Sequence, residues 1–255
     1  MKAFIKLHLK ENVRKNSFIL FGILGLLITL IIFTVGEFSV NGAALDSHYA
    51  QFGFQWTFLN LIASLAAVSL TMGVVARYRE SKSSELLRIH GLKKEKQYAS
   101  LFLGNLSLTG LMALLLLIGL ILSSLLKQVD ASILGFLGAI VVYILAIFIS
   151  CLLSSTLTLF FQPAAAALLG LILVILGSLR GTLELIVGNL GGAFGNVVGI
   201  LLKAIPPLDT LAKAQRDLFF GELTSLKGLF HGGIYLWVLC GLVYLLIKWV
   251  AKNEK

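Results

Sequence analysis

Charge is what this chain has least of. Of 255 residues, twenty-one are Lys or Arg and twelve are Asp or Glu, 13% together, while 58% are hydrophobic and the mean hydropathy is +0.96. That is too little charge to cover a soluble globule of this length. Inside the apolar spans delimited below there is no Asp or Glu, so the buried carboxylates that mark proton- or sodium-coupled carriers are missing. Cysteine occurs twice, as Cys151 and Cys240, each within an apolar run. A disulfide framework or thiolate metal site therefore has no support, and both read as small buried apolar residues. His8, His48, His90 and His231 lack ligand spacing. HExxH, GxSxG, paired carboxylates and the Walker A pattern are absent. No enzyme is expected, and no catalytic, cofactor-binding or metal-binding residue can be assigned. Any uphill work must draw its energy from another polypeptide.

Long apolar runs are what the chain does have. A hydrocarbon core of roughly 30 Å needs about 20 residues of helix, and lipid admits only helices or closed barrels. Spans are expected at 18–36, 56–76, 101–126, 133–158, 164–179 and 231–250. From Ala131 to Leu179 no residue is charged; as one helix this stretch would run about 73 Å, more than two bilayer cores. It must fold back, and Gln162-Pro163 is the natural turn. Trp237 and Trp249 suit interfacial anchors of the last span. The expected fold is an all-α polytopic membrane protein, one transmembrane domain over 1–255, with no cleavable signal peptide.

Basic residues set the orientation. Residues 1–17 carry five, 77–96 carry seven and the end from Lys248 carries three, whereas 37–55 carries none and 127–132 carries one. Six spans with both termini cytoplasmic follow, in the plasma (inner) membrane of a prokaryote. The 180–230 connection then lies outside. Its stretch 182–202 fits a helical hairpin dipping into the outer leaflet better than a seventh span, which would put the basic C-terminus outside. Gly188, Gly191, Gly192, Gly195 and Gly199 form three overlapping GxxxG spacings there, suited to tight helix packing or to a mobile outer gate. Pro206-Pro207 ends that helix before a polar helical segment.

At the N-terminus Lys2, Lys6, Lys10 and Arg14 recur every four residues, beside Ile5, Leu9 and Val13. On a helix these make a cationic and an apolar stripe, as in an interfacial helix over 1–17, or a positive-inside flank.

Residues 77–96, RYRESKSSELLRIHGLKKEK, hold a third of the basic residues between two spans. Arg79-Glu80, then Glu85-Leu86-Leu87, then Lys96-Gln97-Tyr98, together with six spans, an interfacial N-terminal helix and a partly embedded outer segment between spans five and six, resemble the ABC-2 type transporter permease family. The likeness covers the whole chain in architecture and about thirty residues in motif. Ser83-Ser84 and His90-Gly91 stand where the family often has a Gly and a Pro; Gly91 can still break the helix. The resemblance implies a permease subunit that dimerises with a second copy or a paralogue and docks a separate ABC ATPase. Residues 80–95, within the cytoplasmic segment 77–98, would form the coupling helix. Leu86, Leu87 and Ile89 would enter the ATPase groove, with the charges of Arg79, Glu80 and Glu85 steering the contact. ATP and Mg would belong to that partner, and this chain would need no cofactor of its own. A plain solvated loop that only sets topology is the competing reading, but it has little reason to expose a Leu-Leu pair.

Asn60, Ser64, Ala67 and Thr71 share one face of span two, as Asn105 and Thr109 do in span three. Ser154, Ser155, Thr156 and Thr158 cluster in span four. These are either packing groups or a weakly polar translocation path at the dimer interface, which without buried charge would suit export of an amphipathic, lipid-like or peptide cargo. A membrane assembly or regulatory subunit that docks a soluble partner through 77–98 and transports nothing is the other reading. The net charge of +9 is placed for lipid headgroups and topology, not nucleic acid.

Overall fold

The uncharged runs fold as helices because only an internally hydrogen-bonded backbone is tolerated in lipid. The computed structural model describes residues 2–14, 16–34, 39–40, 43–44, 48–80, 89, 91–126, 132–190, 192–221 and 226–253. Its helices are α1 (Lys2–Val13), α2 (Asn16–Thr34), α3 (His48–Thr71), α4 (Val74–Glu80), α5 (Lys94–Leu126), α6 (Ile133–Phe160), α7 (Pro163–Ser178), α8 (Arg180–Leu190), α9 (Gly192–Ala204), α10 (Leu208–Phe219) and α11 (Leu226–Asn253). Two-residue strands β1 (Ser39–Val40) and β2 (Ala43–Ala44) pair antiparallel between α2 and α3.

Among the described residues, four stretches are long and apolar enough to cross a membrane: Gln55–Arg79, Lys94–Leu122, Ile133–Phe160 and Gly228–Asn253. The pair Pro163–Ser178 and Arg180–Gly188, bent by 65°, makes a fifth if it is one span; Asn16–Ile28 is apolar but shorter. Apart from the short β1–β2 pair the described residues are overwhelmingly helical, and four or five of their helices are long and apolar enough to span a bilayer, the build of a membrane protein.

Helix α6 is the hub. It packs on α3, α4, α5, α7, α10 and α11. The Ser132 hydroxyl caps its start by accepting from the Gly135 N–H at 3.0 Å. At its end Phe161 and Gln162 are extended and Pro163 opens α7, where a missing N–H costs nothing. At the α6 start a Cβ on Gly135 would lie 2.3 Å from the Leu218 carbonyl oxygen of α10. At the α6 end Leu159 meets Arg79, and Phe160 lies 6.3 Å from Trp249, centroid to centroid. These contacts define a charged end, near residues 77–96, and an opposite end occupied by α10. There Trp56 makes edge contacts with Tyr143 and Phe219, each at 5.9 Å.

Several helix ends differ from the hydropathy-based spans. Helix α5 begins at Lys94, not 101, and α11 at Leu226, not 231, because a polar first turn can be helical outside the apolar core. Span two carries an unforeseen break at Met72-Gly73. Cys151 is buried as expected, but Cys240 is exposed on α11; a small apolar side chain needs no burial where the surroundings are lipid. Helix α1 does not simply lie beside α2. It packs mainly on α5, with Lys6, Lys10 and Arg14 outward and His8 and Asn12 buried.

Gly135→Ala should lower the melting temperature in detergent by the equivalent of about 1–3 kcal/mol, because the Leu218 carbonyl belongs to backbone and cannot rotate away. Gly138→Ala, whose Cβ would find its nearest neighbour at 3.6 Å, should leave it unchanged or raise it.

Candidate functional site

At the charged end, helix α4 follows the Met72-Gly73 break, where the Arg77 Nε donates back to the Gly73 carbonyl at 2.9 Å. Arg79, the penultimate residue of α4, reaches two other helices. Its Nε donates to the Tyr98 hydroxyl of α5 at 3.2 Å and its guanidinium to the Leu159 carbonyl of α6 at 3.0 Å. Tyr78 and Tyr98 pack edge to face at 5.7 Å. Gln97 is buried and donates to the Leu92 carbonyl at 2.7 Å. Gly91 adopts φ of 78° in open space, a conformation only glycine takes cheaply, and it lets the chain turn into α5. Ile89 is 78% exposed. Glu80 ends α4. Glu85, Leu86 and Leu87 lie outside the described residues.

The proposed polar face of α3 is buried along its length. Asn60 and Gln215 of α10 form a reciprocal amide pair, the Gln215 Nε2 donating to the Asn60 Oδ1 at 3.2 Å. The hydroxyls of Ser64 and Ser150 lie 3.1 Å apart, and those of Thr71 and Ser154 2.9 Å apart. Ala67 is buried between them. On α5, the Asn105 amide donates to the Ser155 hydroxyl at 3.0 Å, its Oδ1 lies 3.1 Å from the His8 Nε2, and the Thr109 hydroxyl donates to the Asn105 carbonyl at 2.9 Å. All six residues are thus buried between helices, Ser64, Thr71 and Asn105 bonded to α6 and Asn60 to α10. The space beside them is a crevice of about 30 Å³ bounded by Thr57, Asn60, Ser64, Ser178 and Asp209 among others, enough for a water rather than a cargo.

Three partners in these seams escape sequence inspection: His8 with Asn12, Gln215, and Arg180. Arg180 is 5% exposed at the bend between α7 and α8, where it donates to the Ile205 carbonyl at 3.0 Å and pairs with Glu184 at 2.8 Å. Asp209 holds the Gly181 N–H at 3.2 Å and Lys213 at 3.0 Å. The bend and the start of α10 are thereby stapled together. The only sequence signal is that Arg180 and Asp209 flank two helix breaks, which alone does not pair them.

Helices α8 and α9 pack on each other, and a Cβ built on Gly195 would lie 3.4 Å from the Val187 carbonyl oxygen. Gly188 and Gly199 have nothing within 4 Å of a built Cβ among the described residues. Gly192 opens α9, and Gly191 is outside the described residues. Among the described residues no three His, Cys, Asp or Glu side chains are grouped to hold a metal. No family model matches the chain, and no curated protein is significantly similar to it.

Asn60→Leu should cost about 1–3 kcal/mol, because Gln215 is left buried and unpaired; adding Gln215→Leu should recover much of it. Removing a hydroxyl by Ser64→Ala should cost nearer 0.6 kcal/mol. Thermal melts in one detergent read both.

Proposed function

We propose that this chain is the permease subunit of an ABC transporter of the ABC-2 type, working as a dimer and driven by ATP hydrolysis on a separate ATPase. The observation that carries the reading is the segment 77–98. It is the densest run of charge in the chain, it includes a Leu-Leu pair, and its flanks sit at one end of an otherwise apolar bundle. Through Arg79 its first helix is bonded to both α5 and the end of α6, so a push on this segment would be felt by the hub helix.

The six-span form counts α2, a 19-residue uncharged helix, and treats α7 with α8 as one bent span. Basic residues put the charged end and both termini on the cytoplasmic side of a prokaryotic inner membrane. Because the seams of one copy are closed, a path for cargo would form between copies rather than along Asn60, Ser64, Ala67 and Thr71. The same closure favours a second reading, a non-transporting assembly or regulatory subunit that docks its partner through 77–98.

Leu86→Glu together with Leu87→Glu should abolish co-purification of the ATPase in mild detergent while the purified variant keeps the helicity and elution of the parent chain. Retained co-purification and transport would sink the coupling assignment. A co-purifying partner without a Walker A motif would favour the assembly subunit.

A further inference from the structure

Between the end of α9 and the first half of α11 runs an open groove of about 640 Å³ that the polar seams do not use. Its long wall is one stripe of α11: Phe230, Ile234, Val238 and Leu242, four residues apart and each roughly half or more exposed. Its other end is polar. Lys203, in the last turn of α9, and His231 meet there, and both are exposed. The Tyr235 hydroxyl donates to the Ala204 carbonyl at 2.9 Å, tying the end of α9 to α11 so that the cation is held against the stripe. Among the described residues Lys203 takes part in no ion pair.

We propose that this groove binds one anionic phospholipid, its phosphate on Lys203 and His231 and an acyl chain along the α11 stripe. Three observations select this occupant. The volume lies in the range of small-molecule sites. The stripe from Phe230 to Leu242 is about 18 Å long, close to one leaflet of a hydrocarbon core of roughly 30 Å. The charge is at one end only and is positive, which matches a headgroup with a tail, whereas a partner helix would need apolar contact over the whole length. An acyl chain also follows an open, uneven wall without the fixed complementarity that a packed helix requires. Arginine and lysine at a membrane surface attract anionic lipid by roughly 1 kcal/mol each. The site does not depend on whether the chain couples to an ATPase.

Native mass spectrometry of the full chain in detergent, titrated separately with phosphatidylglycerol, phosphatidylcholine and inorganic phosphate, tests it. One tightly retained phosphatidylglycerol is expected, bound several-fold better than phosphatidylcholine, with no adduct from phosphate alone. Lys203→Gln should weaken the phosphatidylglycerol adduct about fivefold without changing phosphatidylcholine. Val238→Trp, which fills the groove, should remove the adduct, whereas Leu122→Trp on the outer face of α5 should not; both are compared at equal helicity and elution volume. Equal binding of the two lipids, an adduct indifferent to Lys203→Gln, or one that survives Val238→Trp would overturn the proposal. So would an intermolecular disulfide formed by Val238→Cys in a Cys240→Ser background, which would give the stripe to a second copy.

Discussion

The structure depends on the seam of small hydroxyl side chains along α6. In a bilayer, one apolar helix gains nothing from leaving lipid to touch another, so position has to come from close packing and from hydrogen bonds between helices. Ser150, Ser154 and Ser155 supply those bonds: the first two hold Ser64 and Thr71 of α3, the third holds Asn105 of α5. Asn105 carries the chain of contacts on to His8 and so positions α1. At the other end Gly135 admits the Leu218 backbone and lets α10 seal the bundle. Each such bond is worth little alone, about 0.6 kcal/mol on average. What they supply is register, since a helix that slid by one turn would strand several buried polar groups together.

This division explains why part of the fold is legible in the sequence and part is not. The charge-free run 131–179, divided at Gln162-Pro163, is a one-dimensional signal, because lipid penalises charge at any point along a helix. The same holds for α5 and α11. Pairings such as Asn60 with Gln215, or Arg180 with the Ile205 carbonyl, depend on which faces meet across 155 and 25 positions, and no periodicity encodes that. The face of α3 illustrates the limit. Its spacing groups Asn60, Ser64, Ala67 and Thr71, but spacing cannot distinguish a face turned to neighbouring helices from one turned to a pore. His8 is the opposite case: with Asn12 it falls outside the apolar and basic stripes of α1, and only the contact with Asn105 reveals its place. Likewise the GxxxG run signals small residues, yet among the described residues Gly188 and Gly199 find no close neighbour.

Function follows the same split between bundle and ends. Among the described residues, buried polar groups of the bundle bond from helix to helix, and the buried Arg180 is paired at the bend between α7 and α8. Chemistry that could face a partner lies at the charged end and, for lipid, in the groove beside α11. Arg79 gives the charged end its mechanical interest. It anchors α4 on the hydroxyl of Tyr98 and on the Leu159 carbonyl of α6, so the helix that leads into the charged segment is fixed to the hub.

The account therefore stands or falls on who touches the segment beyond Arg79. A photo-crosslinking amino acid at position 89, where Ile89 is 78% exposed, can be activated in native membranes with and without ATP. The account predicts one dominant crosslinked product, to a soluble subunit carrying a Walker A motif, with a yield that changes on ATP addition. Crosslinking only to lipid, or to a partner lacking any nucleotide-binding motif, would contradict it.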